Sequence, residues 1–156
     1  MTQRLDYGAL APAAMQAMIA LQRHVENSGL EPPLLELVKM RASQINGCAY
    51  CLDMHSKDAR AAGETEQRLY LLDAWREAPF YNDRERAALA WTEALTRIAG
   101  SHGVSDALYE EARKQFSEKE LTDLTYAIIA INGWNRLAIP FRSEPGHYQP
   151  GNHGKR

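Results

Sequence analysis

Two cysteines three residues apart, with a histidine four residues past the second, define the stretch Cys48-Ala49-Tyr50-Cys51-Leu52-Asp53-Met54-His55. They are the chain's 2 cysteines in 156 residues. On an α-helix, positions three and four apart share a face. Cys48, Cys51 and His55 would then line one stripe, with two sulphurs in reach of each other and an imidazole one turn on. Asn46-Gly47 reads as a helix stop, which puts Cys48 at the start of the next helix. There the free amides and the positive end of the helix dipole favour a thiolate, the species that attacks peroxides and disulfides. Cys51, one turn deeper, would resolve the intermediate, and His55 would exchange a proton with it. Glu36, twelve residues before Cys48, is the carboxylate that an antiparallel helical hairpin would fold onto His55. Glu31 and Asp53 are competing carboxylates.

The elements that must position these groups read as helices throughout, with no period-2 strand and no βαβ rhythm. An all-α fold of about seven helices is expected. The first spans roughly residues 12–26 and carries Met15, Met18, Ile19 and Val25 inward. Pro32 and Pro33 open the second, and the third runs from about Cys48 to just before Gly63. Thr65 caps a fourth that holds Leu69, Leu72 and Trp75. Asn82 caps a fifth, with Ala87, Trp91, Ala94, Leu95 and Ile98 as its apolar stripe and Arg84 to Arg86 and Glu93 on a solvated or interface face. Ser105 caps a sixth. Ser117 and Glu120 form a capping box for the last helix, which is expected to stop at Pro140. That helix is apolar nearly all round, the pattern of a central core helix or one buried between subunits. Asn132, Asn135 and Arg136 on it are expected to satisfy hydrogen bonds in the core or at an interface, and Trp75, Trp91 and Trp134 to be core. His24, His102, His147 and His153 read as surface residues. From residue 141 the composition is that of a flexible tail.

Composition narrows the function classes. Apolar residues make up 45% and charged residues 24%, with a formal net charge of −2, so neither nucleic acid nor an acidic membrane surface is an expected partner. No apolar run is long enough to span a bilayer, and the first ten residues lack the blocks of a secretory signal. The expectation is a cytoplasmic protein, where a CxxC is more often redox-active or metal-binding than a staple.

Glu36, the stretch Arg41-Ala42-Ser43-Gln44-Ile45-Asn46-Gly47-Cys48-Ala49-Tyr50-Cys51 and Asp53-Met54-His55 resemble the core of the AhpD-like alkylhydroperoxidases, in the carboxymuconolactone decarboxylase superfamily. The resemblance continues through Asp58-Ala59-Arg60, Ala74-Trp75-Arg76-Glu77, residues 84–93 and Ile131-Asn132-Gly133-Trp134-Asn135-Arg136. It delimits a core at 30–140, preceded by an N-terminal helix within 1–29 and followed by the tail at 141–156. It implies an AhpD-like helical bundle assembled as a homotrimer or homohexamer. It also implies thiol peroxidase chemistry, with no bound cofactor and an external dithiol reductant of lipoyl or thioredoxin-like type.

Residue by residue, Cys51 resembles the peroxidatic cysteine that becomes a sulfenic acid. Cys48 resembles the resolving thiol and proton donor, the more exposed of the two. Glu36 and His55 resemble the proton relay. The helix-terminus argument instead favours Cys48 as the more acidic thiol. Some relatives carry a second histidine where this chain has Tyr50. Members without the CxxC include the decarboxylases, so the cysteine pair argues against decarboxylation. Three other readings stand beside this one: a pair of plain core thiols, a non-peroxidatic thiol–disulfide partner or sensor, and a zinc-binding module built from Cys48, Cys51, His55 and Glu36.

Overall fold

The computed structural model describes residues 2–100 and 103–151. Eight α-helices follow one another: α1 (Tyr7–Leu10), α2 (Pro12–Glu26), α3 (Pro32–Asn46), α4 (Ala49–Ala61), α5 (Glu66–Tyr70), α6 (Asp83–Thr96), α7 (Asp106–Gln115) and α8 (Glu118–Phe141). Single 3₁₀ turns sit at Leu72–Ala74 and Ile98–Gly100. No strand occurs among the described residues.

The capping chemistry acts where the sequence placed it. Thr65, Asn82, Ser105 and Ser117 each accept a backbone N–H at a helix start, and Asn82–Glu85 and Ser117–Glu120 close full capping boxes. The fourth expected helix is two pieces, α5 and the 3₁₀ turn, although Leu69, Leu72 and Trp75 are all buried as anticipated.

The central helix is α3 rather than the last one. Nine consecutive or near-consecutive residues of α3, from Leu34 to Ser43, are buried, because α4, α6 and α8 all pack around it. One core lies among α3, α6 and α8, with Leu34, Val38, Trp91, Leu124 and Ile128. A second joins α3 to α4 and the α5 region through Leu37, Met40, Ala59, Leu72 and Trp75. α8 buries Leu124, Ile128 and Ile131 but leaves Tyr126, Ile129 and Ile139 exposed along one flank. It also runs through Pro140 instead of stopping there, ending with Arg142 in the left-handed region at φ 55°. A proline in the final turn forfeits one bond, and Arg4 supplies donors at that end: its N–H to the Phe141 carbonyl at 2.9 Å and its guanidinium to the Pro140 carbonyl at 3.0 Å.

Three further expectations are corrected. Ile98 lies beyond the end of α6 and is exposed, and the buried face of α6 is Ala88, Leu89, Trp91, Thr92, Glu93 and Thr96. Glu93 is not on a solvated face: it accepts from Arg41 Nε, Trp75 Nε1 and Arg76 Nη1 at 2.7–2.9 Å. The segment 142–151, read from composition as part of a flexible tail, lies back over α4. Tyr148 is buried and its hydroxyl donates to Asp58 Oδ1 at 2.7 Å, while the Gly146 N–H donates to Asp53 Oδ2 at 2.9 Å. Residues 152–156, with His153, and His102 lie outside the described residues. Among the described residues, no helix is long and apolar enough to cross a membrane.

Candidate active site

The turn between α3 and α4 builds the site. Gly47 takes a left-handed conformation at φ 70°, which a residue without Cβ adopts at no steric penalty. The Gly47 N–H returns to Gln44 and the Cys48 N–H to Ser43, the double closure of a helix C-terminus. That closure delivers Cys48 in extended backbone as the N-cap of α4. Its Sγ does what a serine oxygen usually does there, accepting the Cys51 N–H at 3.4 Å.

The two sulphurs lie 2.6 Å apart as free thiols and share a hydrogen bond. The bond from Cys51, with the backbone amides of Cys51 and Tyr50 and the Asn135 side chain, outweighs burial and brings the Cys48 thiol down to about 7. The same bond, together with burial and the nearby Cys48 charge, pushes the Cys51 thiol strongly up, against hydrogen bonds from Asn135 and Ser43. The two thiols thus titrate as one coupled pair, with Cys48 the more acidic member. The direction is the one the helix-terminus argument favours. The expectation that Cys48 would be the more exposed thiol is not met: Cys48 is 1% and Cys51 3% exposed.

The α3–α4 hairpin also joins Glu36 to His55. Glu36 Oε2 meets His55 Nδ1 at 3.0 Å, and Glu36 Oε1 accepts from Lys39 Nζ at 2.7 Å. Burial raises the Glu36 carboxyl, but hydrogen bonding and charge from His55, with Lys39, hold it at about 2. The competing carboxylates are occupied elsewhere, Glu31 by Arg84 and Asp53 by Lys57.

A cavity of about 630 Å³ opens onto these groups. Cys51, His55, Glu36, Asp58 and Tyr50 face it, and Met15, Leu35, Met54 and Trp134 make its apolar walls. Cys48 is not among its lining residues, and Pro150 and Gly151 of the C-terminal segment are. Sequence reasoning missed this wall, because nothing in a Pro/Gly-rich composition marks the single anchoring tyrosine. Trp134 is half-buried and lines the cavity rather than filling the core.

Metal-ligating atoms also converge here. Among the described residues, Glu36, His55 and Asp58 place theirs within 4.8 Å of one another, and neither sulphur belongs to that set. The four-ligand zinc arrangement open to the sequence is therefore not assembled, and the Lys39 ammonium on Glu36 opposes a cation.

Comparison with known proteins follows this geometry. A family model described as the carboxymuconolactone decarboxylase family matches residues 12–94, the stretch that contains α2, α3 and α4. The uncharacterized protein YdfG of Bacillus subtilis is 45% identical over 139 residues, covering 89% of this chain and 94% of its own length. A crystal structure from Agrobacterium tumefaciens, of a protein of unknown function suggested to be the antioxidant defence protein AhpD, superposes with a TM-score of 0.89 at 44% identity. It covers 94% of this chain and 100% of that one. A peroxidase-related protein from Silicibacter superposes at 0.76 with 25% identity, over 87% and 72% of the two chains. With the family model and these similarities in agreement, the chain belongs to the carboxymuconolactone decarboxylase family as an AhpD-like member.

Proposed function

We propose that the protein is a thiol-dependent peroxidase that reduces organic hydroperoxides through a Cys48–Cys51 dithiol/disulfide cycle. The observation that carries this reading is the pair of hydrogen-bonded sulphurs beside a cavity onto which Cys51 and the Glu36–His55 pair open. Cys51 is the sulphur the substrate meets. As the peroxide reaches it, the shared proton passes to Cys48, and the Cys51 thiolate attacks the outer peroxide oxygen. The O–O bond breaks, Cys51 becomes a sulfenic acid, and the leaving alkoxide takes a proton to become ROH. Cys48 is the near proton source, with Glu36 and His55 relaying protons at the cavity wall. The Cys48 thiolate then attacks the sulfenic sulphur, forming the disulfide and breaking the S–O bond; the departing hydroxide takes a proton delivered from solvent through the Glu36–His55 relay and leaves as water. An external dithiol, of lipoyl or thioredoxin-like type, restores both thiols by exchange and leaves as its own disulfide.

Purified protein supplied with dihydrolipoamide should consume cumene hydroperoxide, and Cys51→Ser should reduce this to background. Turnover unchanged in that variant would sink the mechanism. The plain thiol partner or sensor predicts disulfide formation with no catalytic turnover, and a zinc module predicts stoichiometric metal in the native protein. The uncovered flank of α8 (Tyr126, Ile129, Ile139) supports self-association into a homotrimer or homohexamer. Light scattering should give a mass well above the 17.6 kDa of one chain, and a stable monomer would refute this part.

A further inference from the structure

Asn135 lies on α8 between Ile131 and Ala138, which pack against both cysteines, and is 0% exposed. A carboxamide so deeply buried needs partners for both ends, and which end faces the sulphurs decides its chemistry. The N–H₂ end would stabilise a thiolate, and the carbonyl end would repel one.

Two groups of unambiguous polarity settle the orientation. Arg136 can only donate, and its guanidinium meets Asn132 Oδ1 at 2.9 Å. The Ile128 carbonyl can only accept, and it meets Asn132 Nδ2 at 2.9 Å. Asn132 is thereby fixed with its oxygen toward Asn46, so Asn46 must present its N–H₂, at 3.0 Å. The same Asn46 nitrogen reaches Asn135 at 2.8 Å, so the atom it meets there is Oδ1. The Asn135 N–H₂ is then turned away from Asn46, donating to Ser43 Oγ at 3.1 Å on the side of α8 that packs against the cysteines, where its hydrogen bonding lowers both thiols. Ser43, also 0% exposed, accepts from Asn135, and its hydrogen bonding likewise favours the Cys51 thiolate.

We propose that Asn135 is a catalytic residue of the thiol couple, a fixed amide donor that stabilises the negative charge on whichever of Cys48 and Cys51 holds it. Asn46, Asn132 and Arg136 are positioning residues that set its polarity. The proposal rests on the reading of Cys48–Cys51 as a redox couple and adds a donor that works on either sulphur. Such a donor suits a pair whose charge must move from Cys48 to Cys51 and back within one cycle, because it needs no reorganisation as the charge moves.

The test reads thiolate formation without any peroxide. The pH dependence of iodoacetamide alkylation is followed, with peptide mapping to assign the modified sulphur. Other ionisable groups around the pair are Glu36 and Lys39 on α3, His55 and Asp58 on α4, Tyr50, Arg136 on α8 and Tyr148 of the C-terminal segment; none is altered in the variants. Asn135→Leu fills the volume but brings no donor, and its alkylation midpoint should rise by about one to two pH units, the scale of a lost hydrogen bond to a charged group. Asn46→Ala, at a less buried position, frees the Asn135 amide to turn over and should shift the midpoint in the same direction by less. The double variant should shift no further than Asn135→Leu, because Asn46 acts through Asn135. A midpoint unchanged in Asn135→Leu overturns the proposal. If that variant does not fold, Asn46→Ala decides alone, and an unchanged midpoint there overturns it. Wild-type protein that shows the low midpoint yet consumes no hydroperoxide would fail the peroxidase reading and leave the role of Asn135 standing.

Discussion

Glu36 on α3 and Glu93 on α6 are both carboxylates held inside the protein by cations, and their surroundings differ in one respect. Around Glu93, Arg41, Arg76 and the Trp75 indole take up both oxygens, Arg41 in turn reaches Asp73 and Gln44, and none of these residues lines the cavity beside Cys51. Around Glu36, Lys39 takes one oxygen and His55 the other, but the imidazole and carboxylate both face the cavity that holds Cys51. The first cluster is closed and ties α3, α6 and the α5 region together. The second is open on one side, beside a reactive atom. Burial and ion pairing alone therefore do not mark a site; access to a cavity and a nucleophile does.

The comparison is broken most sharply at the open cluster. Glu36→Gln and His55→Gln should each slow hydroperoxide turnover by about 10²- to 10⁴-fold, and the double variant should lose little more than either, as expected of residues acting as a unit. Fully additive losses in steady-state rates would separate them. The closed cluster should respond in stability instead. Glu93→Ala leaves Arg41, 4% exposed, without its buried partner, and should cost about 3–5 kcal/mol in denaturant unfolding. The folded fraction should keep its alkylation profile, and a changed profile would mean that the two clusters communicate.

A smaller effect sharpens the contrast between the thiols. With the Cys48 thiol at about 7, alkylation of Cys48 should rise with pH through neutrality and level off above it. Cys51 should stay unreactive over that range; equal reactivity at both sulphurs would contradict the shared proton. The smallest effect is on acid stability. The Glu36 carboxyl is depressed to about 2 from an ordinary value of 4.5. Its contribution to stability is therefore fully present above about 4.5 and is lost as pH falls toward 2. Thermal melts across this range should show a gentler acid decline in Glu36→Gln than in the parent chain, and parallel curves would argue against the depressed carboxyl.

Much of this was legible in the residues. The all-α class and the caps at Thr65, Asn82, Ser105 and Ser117 follow from local spacing and turn chemistry, while the helical hairpin offered Glu36 to His55 and left the choice over Glu31 and Asp53 to the fold. Three features were not. Glu93 looked solvated because its partners lie 52, 18 and 17 residues away, and a helix pattern carries no mark of distant cations. Tyr148 looked like part of a loose tail because one buried aromatic does not stand out in a polar stretch. Asn135 looked like a core hydrogen-bonding group, which it is, but its neighbours from α3 were invisible along α8.

The sequence by itself determined the local chemistry: two thiols at a helix start, a glycine that allows the tight turn before them, and a histidine one turn beyond. These depend on residues within a few positions of one another, where helix periodicity and capping rules act. Only the tertiary structure decided which sulphur faces the cavity, that α3 rather than α8 is the enclosed helix, and which way the Asn135 amide is turned. Those outcomes depend on the packing of α3, α4 and α8 and on hydrogen bonds such as Asn46–Asn135, 89 residues apart. Their direction is set by obligate donors and acceptors from different helices.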